Sequence, residues 1–171
     1  MGNFIKRIRS EITEANKDIE AGTQVEIKDP DDLYNLVGCI NGPPDTPYEG
    51  GTFLIDIKLN KDHPFRAPDF KFITRVFHPN VSSKTGAICL DVLKENWSAA
   101  MTLRLSLLSV QSLLESPDET SPQDFEVAKV YTKDKSEFVR KAQDWVNKYA
   151  NVSLQEHMKK LKKEDSKPEQ Q

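Results

Sequence analysis

The chain has 171 residues, a formal net charge of -3 and a sequence pI near 5.7. This length suits one domain with its own hydrophobic core, and the acidic balance lacks the basic excess of a typical nucleic-acid-binding protein. The two cysteines, Cys39 and Cys89, cannot form a disulfide framework, and no apolar run reaches the roughly 20 residues that a membrane span needs. We therefore expect a cytosolic or nuclear protein with neither a nucleic-acid nor a membrane partner.

Helical periodicity opens the chain. Apolar residues recur at intervals of three and four, at Ile5, Ile8, Ile12, Ala15 and Ile19. The pattern predicts an amphipathic helix, and Gly22 stands where a helix end is expected. Basic residues such as Lys6 and Arg7 lie near the start, where the helix dipole favours acids. They form either an ordinary solvated face or a cluster kept for a partner.

Four short strands are predicted next, around residues 25–28, 33–40, 53–59 and 70–73. Turn-forming residues, densest between 41 and 51, separate them without an intervening helix, which predicts an antiparallel meander. Periodicity then fails from 77 to 102. An irregular stretch of this length inside a small domain is usually either functional or a segment whose elements have been misread.

The rest of the chain has helical patterns. Residues 103–114 are apolar on most sides, which predicts a helix buried against the sheet. Ser121, followed by a proline and an acid, is predicted to cap the next helix, and Thr132 the one after it. Ser153 and Glu156 predict a capping box for a last short helix, with a charged, disordered tail from Lys162. The predicted fold class is α+β.

The chemistry of the chain centres on a cysteine. The sequence has no glycine-rich loop for nucleotide phosphates, and its histidines and cysteines lack metal-ligand spacing, so we expect neither a cofactor nor a metal. Cys39 lies in an apolar strand and is predicted to be a core side chain. Cys89 follows a glycine-bearing turn in the irregular stretch, where it is either buried or reactive.

Two reactions remain open for Cys89. A thiol hydrolase would need an imidazole within hydrogen-bond reach, and His78 is the nearest candidate in sequence. A thiol acyl carrier needs no such base, because a free cysteine is still roughly a few per cent thiolate near neutrality. The amide of Asn80 suits the stabilisation of an oxyanion in either reaction.

Several motifs together resemble the signature of ubiquitin-conjugating enzymes. They are His78-Pro79-Asn80, Cys89-Leu90-Asp91, Trp97 before a helix start, the turn-rich run 42–51 and His63-Pro64-Phe65. The match covers roughly residues 3 to 150. It implies the ubiquitin-conjugating (UBC) fold: an N-terminal helix, a four-stranded antiparallel meander, then helices. Residues 1–151 would be the catalytic core and 152–171 a charged C-terminal extension.

The resemblance also implies an activity. Cys89 would accept ubiquitin as a thioester from the activating enzyme, which consumes the ATP, and pass it to lysines of substrate proteins or of ubiquitin. Asn80 would stabilise the oxyanion or hold the loop that positions it. His78, Asp91 and Trp97 would support the site. Ser121 occupies a gate position where many relatives have aspartate, and Pro122 after it makes phosphorylation of Ser121 a hypothesis.

Two surface regions match the partner contacts of the family. Lys6 and Arg7 match basic positions used toward the activating enzyme and the ligase. Phe65 and the loop Ser98, Ala99 and Ala100 match an apolar contact with RING- or HECT-type ligases. Residues 85–94 and 99–104 resemble members that build degradation-type polyubiquitin chains and usually carry a ubiquitin-associated module. The 21 residues after Ala150 are too few for that module.

Three alternatives stay open beside this interpretation. One is the thiol hydrolase that uses Cys89 and His78, which would act without an activating enzyme. Another is a non-catalytic relative that only binds ubiquitin or a ligase, although the presence of both Cys89 and Asn80 argues against it. The last is conjugation of a different ubiquitin-like modifier.

Overall fold

The computed structural model describes residues 2–17 and 20–165, and the side chains of all of these except 164 and 165. The first helix, α1, spans Gly2–Lys17. Ile8 and Ala15 are fully buried, as the apolar pattern predicts, but Ile5 is exposed. Ile19, the last member of that pattern, lies outside the described residues. Gly22 has a φ of 72° in the turn that leads into the sheet.

Four antiparallel strands form one sheet in chain order, which confirms the predicted meander. They are β1 (Thr23–Asp29), β2 (Asp32–Asn41), β3 (Thr52–Lys58) and β4 (Asp69–Phe72). Alternate residues point to the inner face, where Leu36 pairs with Ile57 and Ile57 with Phe70. The predicted third and fourth strands each extend one residue too far, because Leu59 and Ile73 lie beyond their ends.

Helix α2 (Leu103–Glu115) packs on the inner face of the sheet, beside α1. Leu103, Leu107 and Val110 are fully buried there, as the apolar pattern predicts. Two adjoining helices follow, α3 (Phe125–Lys133) and α4 (Lys135–Tyr149). The order of a helix, a meander and a helical half is therefore the predicted α+β architecture. Among the described residues, no helix has the length and apolar character needed to cross a bilayer.

The predicted caps of α3 and α4 are wrong. Asp124, not Ser121, accepts the backbone N–H of Val127 and caps α3. The carbonyl of Pro79 holds the N–H groups of residues 123 and 124, so the helix begins only after them. Thr132 lies inside α3, and Asp134 caps α4 instead. Both true caps are aspartates, which accept these hydrogen bonds at least as well as serine or threonine.

The last helix, α5 (Leu154–Asp165), lies on the outer face of the sheet. The predicted capping box is present: Glu156 N–H donates to Ser153 Oγ at 3.2 Å, and Ser153 N–H donates to the Glu156 carboxylate at 2.8 Å. The helix continues past Lys162, where a disordered tail was predicted, because basic residues are favourable near a helix C-terminus. Residues 166–171 lie outside the described part.

Cys39 is buried beneath α5. It packs in a second, smaller core with Val37 and Leu54 of the sheet and with Leu154 and Met158 of α5. Burial raises the pKa of the Cys39 thiol to about 11, so this cysteine stays protonated near neutrality. Its predicted role as a core side chain is confirmed.

Candidate active site

Cys89 lies on a segment that is pinned to the edge of the sheet. Its backbone N–H donates to the carbonyl of Asn80 at 2.9 Å, and the preceding Ile88 forms a bridge with Val81. The carbonyl of Gly86 accepts the N–H of Phe72, the last residue of β4, at 2.9 Å. The side chain of Cys89 is half-buried, whereas Cys39 is 5% exposed. Of the two thiols, Cys89 is thus the one that solvent reaches.

Gly86 is required for this close approach. Its φ is 74°, in the left-handed region that glycine adopts most readily, and a Cβ there would lie 2.1 Å from the carbonyl oxygen of Phe72. Any side chain at this position would push the segment away from β4. The glycine-bearing turn noticed in the sequence therefore lets the segment that bears Cys89 lie directly against β4.

Asn80 is fully buried and its amide is fully used. Nδ2 donates to the carbonyls of Asp118 at 2.8 Å and Ser121 at 2.9 Å, and Oδ1 accepts the N–H of Asp118 at 2.9 Å. These bonds fasten the segment 118–121 beside the Cys89 segment. Of the two roles predicted for Asn80, this geometry supports the one that holds a loop. Stabilisation of an oxyanion stays a prediction, because it requires one of these bonds to open.

His78 is also fully buried. Its Nε2 bonds to the carbonyl of Leu113 at 2.9 Å, and its Nδ1 accepts the N–H of Asn80 at 3.0 Å. Burial lowers the pKa of His78 to about 4, although the bond to Leu113 works against this shift. The imidazole is therefore neutral near pH 7. Because both ring nitrogens are bonded to the backbone, His78 cannot take a proton from Cys89 in this arrangement.

The residues after Cys89 are held by Asp91 and Trp97. Asp91 begins a short 3-10 helix, Asp91–Leu93, and its carboxylate accepts Val92 N–H and Asn96 Nδ2, each at 2.7 Å. Trp97 is half-buried, and its Nε1 donates to the carbonyl of Pro64 at 2.8 Å. Both side chains hold the loop that leaves the cysteine.

The segment 118–124 forms the other wall of the site; in the sequence Asp118 was missed, and Asp124 was noticed only as an acid near a helix start. Ser121 is exposed, and its carbonyl is one of the two held by Asn80. The side chain of Asp118 accepts from both N–H and Oγ1 of Thr120, which lowers the pKa of Asp118. The carboxylate of Asp124 binds Ser83 N–H at 3.0 Å and Ser83 Oγ at 2.6 Å. The sequence signal for Asp118 was an aspartate two residues before a threonine, an arrangement typical of a turn.

We call the predicted partner residues the partner face: Lys6, Arg7, Phe65, Ser98, Ala99 and Ala100, with Lys6 next to Arg7 on α1. Phe65 is 84% exposed. Arg7 donates from Nη2 to the carbonyl of Ala99 at 2.8 Å, which links α1 to the loop 98–100. The bond from Trp97 to Pro64 brings the turn that bears Phe65 to the same loop. Three segments distant in sequence therefore meet.

No group of His, Cys, Asp and Glu side chains suited to a metal ion is found among residues 2–17 and 20–165.

Comparison with known proteins gives one answer throughout. Residues 7–146 match the family described as ubiquitin-conjugating enzyme. Ubiquitin-conjugating enzyme E2 1 of Schizosaccharomyces pombe is 47% identical over 148 residues, which cover 86% of this chain and 68% of that protein. Ubiquitin-conjugating enzyme E2 K of Homo sapiens is 45% identical over 161 residues, which cover 92% of this chain and 80% of that protein.

A solved structure agrees. The E2 domain of a Toxoplasma gondii ubiquitin conjugating enzyme has a TM-score of 0.80 and 42% identity, and the match covers 86% of this chain and 99% of that chain. The similarity to E2 K agrees with residues 85–94 and 99–104, which resemble the huntingtin-interacting, 25-kilodalton member of the family.

Proposed function

The chain belongs to the ubiquitin-conjugating enzyme family, and from this premise we propose that it carries ubiquitin as a thioester on Cys89 and transfers it to lysine. The observation that carries the proposal is the contrast between its thiols. Cys89 is half-exposed on a segment fixed by the backbone of Asn80, while Cys39 is buried under α5 with a pKa of about 11.

Two acyl transfers make up the reaction. In the first, the Cys89 thiolate attacks the carbonyl carbon of ubiquitin held as a thioester on the activating enzyme. A new carbon–sulfur bond forms, and the thiol of the activating enzyme leaves. In the second, a lysine amine attacks the same carbon, an amide forms, and Cys89 leaves as thiolate while the amine loses a proton. This chain needs no cofactor for either step, because the activating enzyme consumes the ATP.

In the proposed reaction the lysine arrives beside the segment that bears Asp118 and Ser121, whose carbonyls Asn80 holds. The hydroxyl of Ser121 is a weak substitute for the aspartate of many relatives, and Asp118 offers a carboxylate three residues earlier. A phosphate on Ser121 would add up to about two negative charges beside the thioester. Changed discharge to lysine in Ser121→Asp would support such regulation, and an unchanged rate would leave it without support.

We further propose that RING- or HECT-type ligases dock on the partner face. An exposed phenylalanine beside a cationic helix combines an apolar anchor with electrostatic steering, and Phe65 is the most exposed large apolar side chain among the described residues. Degradation-type polyubiquitin chains are proposed as the product because residues 85–94 and 99–104 resemble members of the family that build them. Two cysteines without a disulfide suit the cytosol or nucleus.

One gel experiment tests the central proposal. The protein is mixed with ubiquitin-activating enzyme, ATP and ubiquitin, and the products are run with and without reductant. We expect a ubiquitin-sized mass increase that reductant removes. Cys89→Ser should convert it into a reductant-resistant ester, and Cys39→Ser, the matched control, should leave it labile.

The same assay separates the alternatives. Turnover of an ester or peptide without activating enzyme would favour the thiol hydrolase, against which the bonded ring nitrogens of His78 argue. Failure to form any adduct would favour a non-catalytic binding protein. Replacing ubiquitin by another ubiquitin-like modifier, with its own activating enzyme, tests the choice of modifier.

A further inference from the structure

Glu11 is a buried carboxylate in α1 with one partner in the same helix and partners on two other parts of the chain. The residue is 4% exposed. Its Oε1 accepts Arg7 Nε at 2.7 Å and lies 3.4 Å from Nε2 of the buried His63. Its Oε2 accepts the backbone N–H of Leu103, the first residue of α2, at 3.0 Å. Neither the periodicity of α1 nor the family signature pointed to this residue.

These partners lead to the partner face. Arg7 donates from Nε to Glu11 and from Nη2 to the carbonyl of Ala99. His63 lies in the turn that carries Phe65, and its ring lies 6.1 Å from the ring of Trp97. Leu103 follows the loop 98–100 by three residues. One carboxylate thus bridges the helix, the turn and the far end of the loop.

The carboxylate is held in its charged form. Burial alone would raise the pKa of Glu11, but the hydrogen bonds from His63 and from the N–H of Leu103, with the bond from Arg7, lower it overall. Glutamate is rarely buried without partners, because desolvating its charge is costly. An ordinary cap does not explain it here, since the hydroxyl of Thr102 already caps α2 by accepting Leu105 N–H.

We propose that Glu11 is a positioning residue for ligase docking: its carboxylate fixes the loop 98–100, the Phe65 turn and the start of α2 on α1, so that the partner face is preformed. This inference rests on the proposed docking of ligases at that face. A preformed surface loses less conformational freedom on binding, and affinity rises for that reason. Glu11 itself touches neither the ligase nor the thioester.

The test compares Glu11→Gln with the wild type in single-turnover discharge of preloaded ubiquitin to free lysine. The probe is a RING domain chosen beforehand because it accelerates discharge from the wild type. Glutamine has nearly the size of glutamate, but an NH2 group replaces one of the two carboxylate oxygens. That NH2 group would face other donors, either those of Arg7 and His63 or the N–H of Leu103, so the hydrogen bonds on that side are lost. We expect the half-saturating concentration of the domain to rise about tenfold and the saturated rate to change less than about twofold.

Three further measurements make the result decisive. Glu14→Gln, an exposed position on the same helix, should leave the half-saturating concentration unchanged. Amide hydrogen exchange at Met101 and Leu103 should accelerate in Glu11→Gln while exchange at Leu114 stays constant. In a Phe65→Ala background, Glu11→Gln should raise the half-saturating concentration by a smaller factor than it does in the wild type, because both changes act on one surface.

The outcomes separate the two proposals. If no domain accelerates the wild type, or if Phe65→Ala leaves the half-saturating concentration unchanged, the proposed docking is wrong. If Phe65→Ala raises that concentration and Glu11→Gln does not, docking stands and the role of Glu11 is overturned. A variant that only unfolds at a lower temperature, with unchanged half-saturation, also overturns the role, because it marks Glu11 as ordinary core.

Discussion

Asn80 is the residue on which the geometry of the site depends most directly. Its amide forms three hydrogen bonds to the backbone of Asp118 and Ser121, and its own N–H donates to His78. An amide so fully bonded is organised to hold a wall of the site. A role on the oxyanion would add to this holding role.

Replacing Asn80 by alanine separates these roles. We expect a loss of about 1 to 3 kcal/mol in the free energy of unfolding, because backbone groups near Asp118 lose their partner. Thioester formation should remain, while discharge to lysine slows. Urea unfolding and single-turnover discharge measure the two effects, with exposed Asn147→Ala as control. Slow discharge with unchanged stability would instead favour a direct oxyanion role, for which a loss of about 100- to 1000-fold is typical.

His78 gives a prediction on pH. Its pKa is about 4 in the folded protein and 6.5 in the unfolded chain, so the unfolded chain binds the extra proton between these values. Stability contributed by the neutral imidazole is therefore present above pH 6.5 and is lost as the pH falls toward 4.

Urea unfolding at several pH values tests this sign. We expect the free energy of unfolding to fall by about 2 kcal/mol between pH 6.5 and pH 5, before most carboxylates titrate. His78→Gln should have a flatter profile over the same range. An equal slope in both proteins would mean that another group causes it.

At the scale of elements, the start of α3 connects two walls of the site. Asp124 caps the helix and binds Ser83 on the segment before Cys89, and Pro79 holds the N–H of Asp124. A helix cap is usually a local feature, but this one is selected by residues about 40 positions earlier in the chain. Ser121 matched the local pattern and is not the cap.

Paired alanine variants test this assignment. Asp124→Ala should lower the free energy of unfolding by about 1 to 2 kcal/mol, because it removes the cap together with two bonds to Ser83. Ser121→Ala should change it by less than about 0.5 kcal/mol, since the Ser121 side chain is exposed and does not cap α3. Chemical denaturation measures both. A larger loss in Ser121→Ala would restore it as a structural side chain.

Features set by local sequence patterns were predictable, and features set by contacts between distant segments were not. The strands and α2 were predictable because the alternation of apolar residues and a continuous apolar run report burial locally. The exposure of Cys89 and the burial of Glu11 were not, because both depend on segments far away in sequence. Local pattern alone left Cys89 between a buried and a reactive side chain, and gave no reason to single out Glu11 among the acids of α1.

At the scale of the whole molecule, the sheet is covered on both faces. Helix α2 packs on the inner face, and α5 covers Val37, Cys39 and Leu54 on the outer face. The predicted boundary at residue 151 separates α5 from the catalytic core in sequence, although the helix lies on that core. That residues 1–151 act as the catalytic core without α5 therefore stays a prediction.

Loosening α5 in the full chain tests that boundary. In Leu154→Ala/Met158→Ala we expect thioester formation on Cys89 to persist, because the site contains no residue of α5. In a Cys89→Ser background, labelling of Cys39 by a maleimide should accelerate at least about tenfold as the helix opens. Gln155→Ala/Lys159→Ala, on the exposed side of the same helix, is the control. Loss of thioester formation would join α5 to the catalytic core.

The hydrogen bonds from Asn80 to the segment 118–121 affect which sequence changes this segment can tolerate. Asn80 binds the main-chain carbonyls of Asp118 and Ser121, and every amino acid supplies such a carbonyl. Natural variation at residue 121 can therefore alter the charge and size of the entrance without detaching the loop. Descendants of one ancestral sequence could in this way acquire different acceptor preferences while inheriting the same scaffold.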